Sequence, residues 1–159
     1  MELIPKYFSG LDTAQIDQFN QLGALYKDWN SKINVISRKD IDQVYLHHVL
    51  HSLSIAKFIQ FRKGTEIMDL GTGGGFPGIP LAILFPDCRF HLIDGTLKKI
   101  KVVKEVIDAL GLQNATADQK RAEEHKEKYD YVVLDTPPVG LVSDALELFK
   151  YSDAVSTSL

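Results

Sequence analysis

A glycine-rich segment at residues 69–78 (DLGTGGGFPG) constrains the fold of this chain more than any other part of its sequence. It follows the short apolar stretch Glu66–Leu70, which is typical of a buried strand, and it leads into the apolar positions Ile79, Leu81 and Leu84 of a helix. Glycines are needed where a chain leaves a strand, turns sharply and lets a ligand approach its backbone. The segment therefore predicts a strand, a ligand-binding loop and a helix in succession.

Further strands and helices alternate after this unit. A second strand is predicted over residues 89–93, ending at Asp94, and a helix over Leu97–Leu110 with Gly111 as its cap and Leu97 among its inward positions. A weak strand is predicted near residues 115–117, a clear one at Tyr131–Leu134, then a helix at 142–150 and the start of a strand at 154–157. This alternation predicts an α/β fold with a parallel sheet.

The first sixty residues have a helical pattern instead. Asp12 or Thr13 can cap a helix, a connection is expected over residues 30–37, and a second helical region follows Asp40 towards Phe58. The apolar side chains spaced three and four apart on the first helix are Ile16, Phe19, Leu22, Tyr26 and Trp29. We therefore expect a helical N-terminal cap over residues 1–63 and a Rossmann-like domain over residues 64–159. That domain is expected to be C-terminally incomplete, because four or five strands are counted where doubly wound sheets commonly have six.

Composition narrows the class of protein. Hydrophobic residues make up 45% of the 159 and charged residues 25%, as in ordinary globular domains, and the net charge of −3 argues mildly against a dedicated nucleic-acid binder. No signal peptide is visible, and no stretch approaches the roughly 18 to 20 apolar residues of a membrane span. Cys88 is the only cysteine, which fits a reducing compartment. The expected location is the cytoplasm, without membrane association.

Two nucleotide cofactors compete for the glycine loop. Asp94, at the end of the second strand, can accept hydrogen bonds from both ribose hydroxyls of an adenosine. A G-x-G-x-x-G match at residues 73, 75 and 78 keeps a dinucleotide open. We favour S-adenosylmethionine, because Asp69 could face its amino group through water but would sit poorly beside a pyrophosphate. Pro77, expected in the first turn of the next helix, also removes an N–H from the site a pyrophosphate would use.

A family resemblance rests on six stretches: residues 26–30 (YKDWN), 33–36 (INVI), 48–53 (HVLHSL), 69–80 (DLGTGGGFPGIP), 92–95 (LIDG) and 121–124 (RAEE). In order and spacing, from about residue 1 to residue 133, they resemble the 16S rRNA guanine-N7 methyltransferase G family, also called glucose-inhibited division protein B. His51 stands where this family often has aspartate. The resemblance implies a Rossmann-like methyltransferase fold, S-adenosylmethionine as cofactor, and 16S rRNA or the 30S subunit as partner.

The resemblance also implies roles for individual residues. Gly71, Gly73 and Phe76 would line the methionine and adenosine portions of the cofactor, and Asp94 would hold the ribose. Backbone groups of residues 122 and 123 would lie beside the adenine. The full set of predicted cofactor-binding residues is Asp69, Gly71, Thr72, Gly73, Gly75, Phe76, Asp94, Gly95, Ala122 and Glu123. No catalytic residue and no metal ligand is assigned.

The resemblance ends within the strand at Tyr131–Leu134. The family continues that strand into a Ser-Arg-Ala segment whose arginine belongs to the active site, whereas here Asp135 takes the arginine's place. Residues 129–154 instead resemble the Walker B region of bacterial P-loop tyrosine kinases, although the chain has no phosphate loop with its lysine. A weaker alternative is the D-P-P-Y type motif of amino-methylating enzymes. A chimera of two families is one interpretation of this tail.

The predicted function is methyl transfer from S-adenosylmethionine to N7 of a guanine in 16S rRNA. Because of Asp135 and the tail, this chain is expected to bind the cofactor but to methylate rRNA very poorly or not at all. The alternatives are a catalytically inactive chimeric cofactor-binding module and a NAD-type oxidoreductase. An exposed sheet edge would favour a dimer.

Overall fold

A computed structural model describes residues 3–121 and 129–135 of the chain. Four strands form one parallel sheet in the order β3-β2-β1-β4. Their bounds are β1 Glu66–Leu70, β2 Arg89–Asp94, β3 Ala115–Gln119 and β4 Tyr131–Leu134. The fold is α/β, as predicted. Because β2 and β4 lie on opposite sides of β1, the strand order reverses beside β1, and a crevice is expected at the carboxyl ends of the strands there.

Helices precede and connect these strands. They are α1 (Leu3–Tyr7), α2 (Thr13–Lys32), α3 (His51–Leu53), α4 (Gly78–Leu84) and α5 (Leu97–Leu110). Short 3-10 turns at Ile41–Gln43 and Ser54–Lys57 and a π-helical turn at Tyr45–Leu50 complete the second helical region. Helix α2 begins with a capping box, in which Asp12 accepts from the Gln15 N–H at 2.8 Å and Gln15 accepts from the Asp12 N–H at 3.0 Å. None of the helices described in residues 3–121 combines the length and apolarity of a membrane span.

The N-terminal helices and one face of the sheet share a single apolar core. Phe19, Leu22 and Val49 from the helical segment pack in the same cluster as Ile67 of β1 and Leu92 of β2. The opposite face of the sheet carries a smaller cluster, in which Met68, Leu70 and Ile93 are buried. Through this shared core, residues 13–57 pack against the sheet. The division into domains at residues 63 and 64 stays a prediction.

Several boundaries differ from the sequence predictions. Helix α2 continues to Lys32, three residues into the expected connection, and Pro77 precedes α4 instead of occupying its first turn. Pro80 lies within that first turn. Backbone N–H groups there have no acceptor within the helix, so the missing N–H of proline costs no hydrogen bond. The prediction that Leu97 points inward is wrong, since its side chain is 63% exposed at the start of α5. The helix predicted at 142–150 and the strand at 154–157 lie outside the described residues.

Candidate functional site

The glycine loop leaves β1 at the carboxyl edge of the sheet and is tied at once to β2. The backbone N–H groups of Gly71 and Thr72 both donate to the carbonyl of Ile93, each at 2.9 Å. Gly71 and Gly73 have φ values of +72° and +60°, in the left-handed region that favours glycine. The loop therefore turns back over the end of β2, next to Asp94.

Asp94 holds this loop through its carboxylate. Oδ2 accepts the Gly73 N–H at 2.9 Å, and Oδ1 accepts the Thr96 N–H, also at 2.9 Å. An ionised carboxylate has about four acceptor positions, so two remain for a ligand. The side chain is partly exposed. Asp94 can thus position the loop and accept hydrogen bonds from hydroxyl groups at the same time.

Asp69 lies beneath the loop, with 1% of its surface exposed. Its Oδ2 accepts from the Thr72 hydroxyl at 2.6 Å and from the Gly78 N–H at 2.8 Å. Oδ1 is buried and has no hydrogen-bond partner within the described part of the chain. Burial raises the pKa of Asp69 to about 7, and the negative charges of Asp135 and Asp94 act in the same direction. The first N–H of α4, that of Gly78, donates to the Asp69 carboxyl group and is therefore unavailable to a pyrophosphate.

The glycines of the loop serve two different purposes. A Cβ added at Gly71 or Gly73 would meet no atom within 4 Å. A Cβ at Gly75 would lie 2.6 Å from Ile79 Cδ1 and 2.8 Å from the Tyr26 hydroxyl oxygen, so this glycine is required by packing. Gly78 is required in the same way. The sequence could not separate these two groups, because all four glycines belong to one motif.

Tyr26 is a positioning residue that the sequence analysis missed. Its hydroxyl donates to the Gly74 carbonyl at 2.7 Å, and its ring lies 4.8 Å from that of Phe76. The side chain is fully buried, and burial raises the pKa of the phenol, so the hydroxyl keeps its proton. In the sequence Tyr26 is one apolar position of an amphipathic helix, and nothing in that pattern distinguishes it from a core residue.

Asn30, the last residue of the YKDWN stretch, fixes a second segment that contacts the loop. Asn30 Oδ1 accepts from the backbone N–H groups of Val35 and Ile36 at 2.8 and 2.9 Å, and its Nδ2 donates to the Ile36 carbonyl. The Val35 side chain lies 3.3 Å from the position that a Cβ of Gly74 would take. The conformation of residues 33–36 thus brings a side chain against the glycine loop.

Most of the predicted cofactor-binding residues converge on this edge of the sheet. Phe76 is buried and its ring contacts those of Tyr26 and His48, and Gly95 is exposed beside Asp94. The predicted residues in or next to the loop are Asp69, Gly71, Thr72, Gly73, Gly75, Phe76, Asp94 and Gly95. Ala122 and Glu123 lie outside the described residues.

The parallel sheet with its strand order, the glycine loop after β1 and the carboxylate ending β2 are features of Rossmann-like cofactor-binding domains. The hydrogen bond from the Gly78 N–H to Asp69 favours S-adenosylmethionine over a dinucleotide and places the chain in the class of S-adenosylmethionine-dependent methyltransferases. Residues 15–135 match the family described as rRNA small subunit methyltransferase G. The chain belongs to this family. The oxidoreductase alternative is therefore set aside.

Curated relatives agree with this assignment. The ribosomal RNA small subunit methyltransferase G of Bacteroides thetaiotaomicron is 63% identical over 150 residues, which are 94% of this chain and 72% of the relative. The protein of the same name from Phocaeicola vulgatus is 64% identical over 133 residues, covering 84% of this chain and 64% of the relative. The chain thus spans between about two thirds and three quarters of the length of these relatives. A solved S-adenosylmethionine-dependent methyltransferase from Aquifex aeolicus is 22% identical, with a TM-score of 0.42 over 52% of this chain and 46% of that chain.

The chimera interpretation gains no support from these matches. The family match continues through Asp135, and the 150-residue alignment with the Bacteroides thetaiotaomicron relative takes in most of the tail. Of residues 129–154, which resemble a Walker B region, the structure describes only 129–135.

The residues at this edge fit S-adenosylmethionine. The open space beside Gly71 and Gly73 admits a ligand close to the backbone, and the carboxylate of Asp94 suits ribose hydroxyls. The unpartnered Oδ1 of Asp69 suits a water molecule bound to an amino group. The donors and acceptors present therefore match the hydroxyls and the positive charges of this cofactor.

The hydroxyl of Tyr26 gives a first test of how the loop is held. We expect Tyr26→Phe to weaken cofactor binding roughly 3- to 10-fold, because the Gly74 carbonyl loses a buried hydrogen bond and the loop loosens. Calorimetric titration with S-adenosylmethionine measures the effect. Tyr45→Phe is the matched control, since that hydroxyl donates to the Phe19 carbonyl, away from the loop. Equal losses in both variants would contradict a specific role for Tyr26.

Proposed function

We propose that this chain binds S-adenosylmethionine along the carboxyl edge of the sheet, across the ends of β2 and β1. The observation that carries the proposal is the open space beside Gly71 and Gly73, next to a carboxylate with unused acceptor positions. Asp94 accepts hydrogen bonds from the ribose, and Oδ1 of Asp69 accepts from water on the amino group. The residues assigned to the cofactor are Asp69, Gly71, Thr72, Gly73, Gly75, Phe76, Asp94, Gly95 and, from the family resemblance, Ala122 and Glu123.

We further propose that the reaction is methylation of guanine N7 in 16S rRNA, in the cytoplasm. The cofactor supplies a methyl group activated by a sulfonium. Guanine N7 is already a nucleophilic lone pair, so the chain needs no strong general base and contributes mainly by positioning the base. The names of the curated relatives support rRNA as the substrate. Dimer formation through a sheet edge stays a prediction.

Replacing Asp94 tests the cofactor site. We expect Asp94→Ala to cost on the order of 1.5 to 3 kcal/mol of binding free energy, because a charged acceptor of two ribose hydroxyls is lost. Calorimetric titration with S-adenosylmethionine gives the affinity. Asp130→Ala is the matched control, since Asp130 also accepts a backbone N–H, that of Glu66, but at the opposite edge of the sheet. Unchanged affinity in Asp94→Ala would remove Asp94 from the site.

Methyl transfer is tested separately from binding. We expect this chain to transfer little or no tritiated methyl to 30S particles that lack the modification, because Asp135 cannot donate the hydrogen bonds of an arginine and repels phosphate. Replacing residues 134–136 (Leu-Asp-Thr) by Ser-Arg-Ala should raise the transfer rate. Robust turnover by the present sequence would overturn this expectation while supporting the proposed reaction.

A further inference from the structure

His48 carries a buried nitrogen that the cofactor site does not use. Its Nε2 atom is buried and has no hydrogen-bond partner within residues 3–121 and 129–135. Leaving such a group unpaired costs about 1 to 3 kcal/mol, and buried polar atoms in folded proteins therefore nearly always have a partner. The described residues thus do not supply the group that this nitrogen should meet.

The position of His48 relates that nitrogen to the loop. Its ring centroid lies 5.1 Å from that of Phe76, which closes the glycine loop. The rings of His48 and Tyr26 both contact the Phe76 ring, so the His48 ring lies against the glycine loop. A ligand group that satisfies Nε2 would therefore lie near this end of the loop.

The charges of two aspartates, one after β2 and one after β4, relate His48 to the two sides of the crevice. The charges of both Asp94, after β2, and Asp135, after β4, act on Asp69 at the end of β1. Among these two, Asp135 is the one whose charge acts on His48. Because β1 separates β2 from β4 in the sheet, the charge that acts on His48 is the one on the β4 side and not the carboxylate assigned to the ribose. The acceptor base must approach the cofactor from a part of the crevice that the adenosine leaves open.

His48 is a neutral hydrogen-bonding group at this place. Burial is the largest effect and lowers the pKa of its imidazole, and the neighbouring His47 and His51 act in the same direction. A neutral ring has one N–H donor and one acceptor nitrogen. Methylation at N7 leaves a positive charge on guanine, which a neutral donor tolerates better than a cationic one.

We propose that His48 contacts the acceptor guanine, with Nε2–H donating to O6 beside the N7 that is methylated. Guanine presents N7 and O6 as adjacent acceptors, whereas adenine has an N–H donor in place of O6. A donor at this point therefore leaves the N7 lone pair available and selects guanine over adenine. The inference rests on the proposed reaction and adds the residue that recognises the base.

Nuclear magnetic resonance of the histidine rings tests the contact without turnover. The chain has five histidines, so the signal of His48 can be assigned by comparison with His48→Phe. We expect millimolar guanosine 5′-monophosphate to shift the ring nitrogen signal of His48 in protein saturated with S-adenosylhomocysteine, and adenosine 5′-monophosphate to leave it in place. A signal that moves with neither nucleotide, or equally with both, would overturn the proposal.

Two substitutions separate the hydrogen bond from packing. His48→Phe keeps an aromatic ring against Phe76 but has no donor, and His48→Gln keeps an N–H near the place of Nε2. In the chain whose residues 134–136 are replaced by Ser-Arg-Ala, we expect single-turnover methyl transfer to fall roughly 10- to 100-fold when His48→Phe is added and to recover partly with His48→Gln. The exposed His51→Phe is the control and should behave as the parent chain.

Cofactor affinity distinguishes this proposal from the proposed function. Both His48 variants should bind S-adenosylmethionine as the parent chain does. A parallel loss of cofactor affinity in His48→Phe would overturn the proposal by assigning Nε2 to the cofactor. Failure of the parent chain to bind S-adenosylmethionine would instead count against the proposed function, and the nucleotide titration, repeated without S-adenosylhomocysteine, would still decide the role of His48.

Discussion

Gly78→Ala is expected to destabilise the fold by about 3 kcal/mol, because a single added carbon has no space. The new Cβ would lie 2.6 Å from Leu92 Cγ and 2.8 Å from Asp69 Oδ2. Leu92 is fully buried in the centre of the sheet and cannot move aside cheaply. Urea denaturation of the variant and the parent chain gives the difference in unfolding free energy.

Gly73→Ala makes the same chemical change in the same loop and serves as the contrast. Its Cβ meets no atom within 4 Å, so the cost is the left-handed backbone, about 1 to 2 kcal/mol. We expect this variant to stay folded but to bind S-adenosylmethionine at least roughly tenfold more weakly, since the methyl group fills the space that a ligand needs. If Gly73→Ala binds normally, the cofactor does not approach this part of the loop. If the two variants unfold alike, the division of the glycines is wrong.

The sequence predicts β1, β2 and β4 well, because each contains a short apolar run, whereas β3 has the sequence ATADQ and is predicted only as a weak, shorter strand. Strand Tyr131–Leu134 and helix Leu97–Leu110 have the bounds expected from the pattern. The spacing predicts that Leu97 points inward, but spacing alone cannot show that this position, the first of α5, is left exposed. Local pattern also could not give the mixture of 3-10, π and α turns over residues 41–57, which depends on tertiary packing.

The site is predicted less completely than the fold. Asp94 and the glycine loop are recognisable because their chemistry is local in sequence and their spacing is specific. The contributions of Tyr26 and His48 depend on helices folding back onto the loop, a contact between residues distant in the chain. The burial of Asp69 is likewise invisible in the motif, which shows only that a carboxylate precedes the glycines. What sequence cannot supply here is the environment of each polar atom.

Because of Asp69, the free energy of unfolding should decrease as the pH rises from about 4 to about 7. Its pKa rises from an ordinary value of 3.8 in the unfolded chain to about 7 in the fold, chiefly because burial disfavours the charged form. Between these two values the folded protein retains a proton that the unfolded chain has lost. The folded state is therefore favoured below about pH 4, and this contribution is lost progressively as the pH rises to about 7.

The size of the effect follows from the same two pKa values. A shift of one unit corresponds to about 1.4 kcal/mol, so Asp69 alone should lower the unfolding free energy by roughly 4 kcal/mol across this range. Asp69→Asn is the reference, because asparagine has nearly the same shape as the protonated acid and can accept from the Thr72 hydroxyl and the Gly78 N–H. Its amide cannot titrate, so any cost of the unpaired N–H is a constant offset.

We expect the stability of Asp69→Asn relative to the parent chain to increase from about pH 4 to about pH 7 and to stay level at higher pH. Urea denaturation of both proteins at a series of pH values measures this difference, and the remaining titratable groups cancel because the two chains share them. A difference that does not change with pH would mean that Asp69 has the same pKa in the folded and unfolded states, so that its cost of burial is balanced within the fold. A difference that falls with increasing pH would mean that the carboxylate stabilises the loop, because a buried anion with two hydrogen bonds would then outweigh its cost of burial.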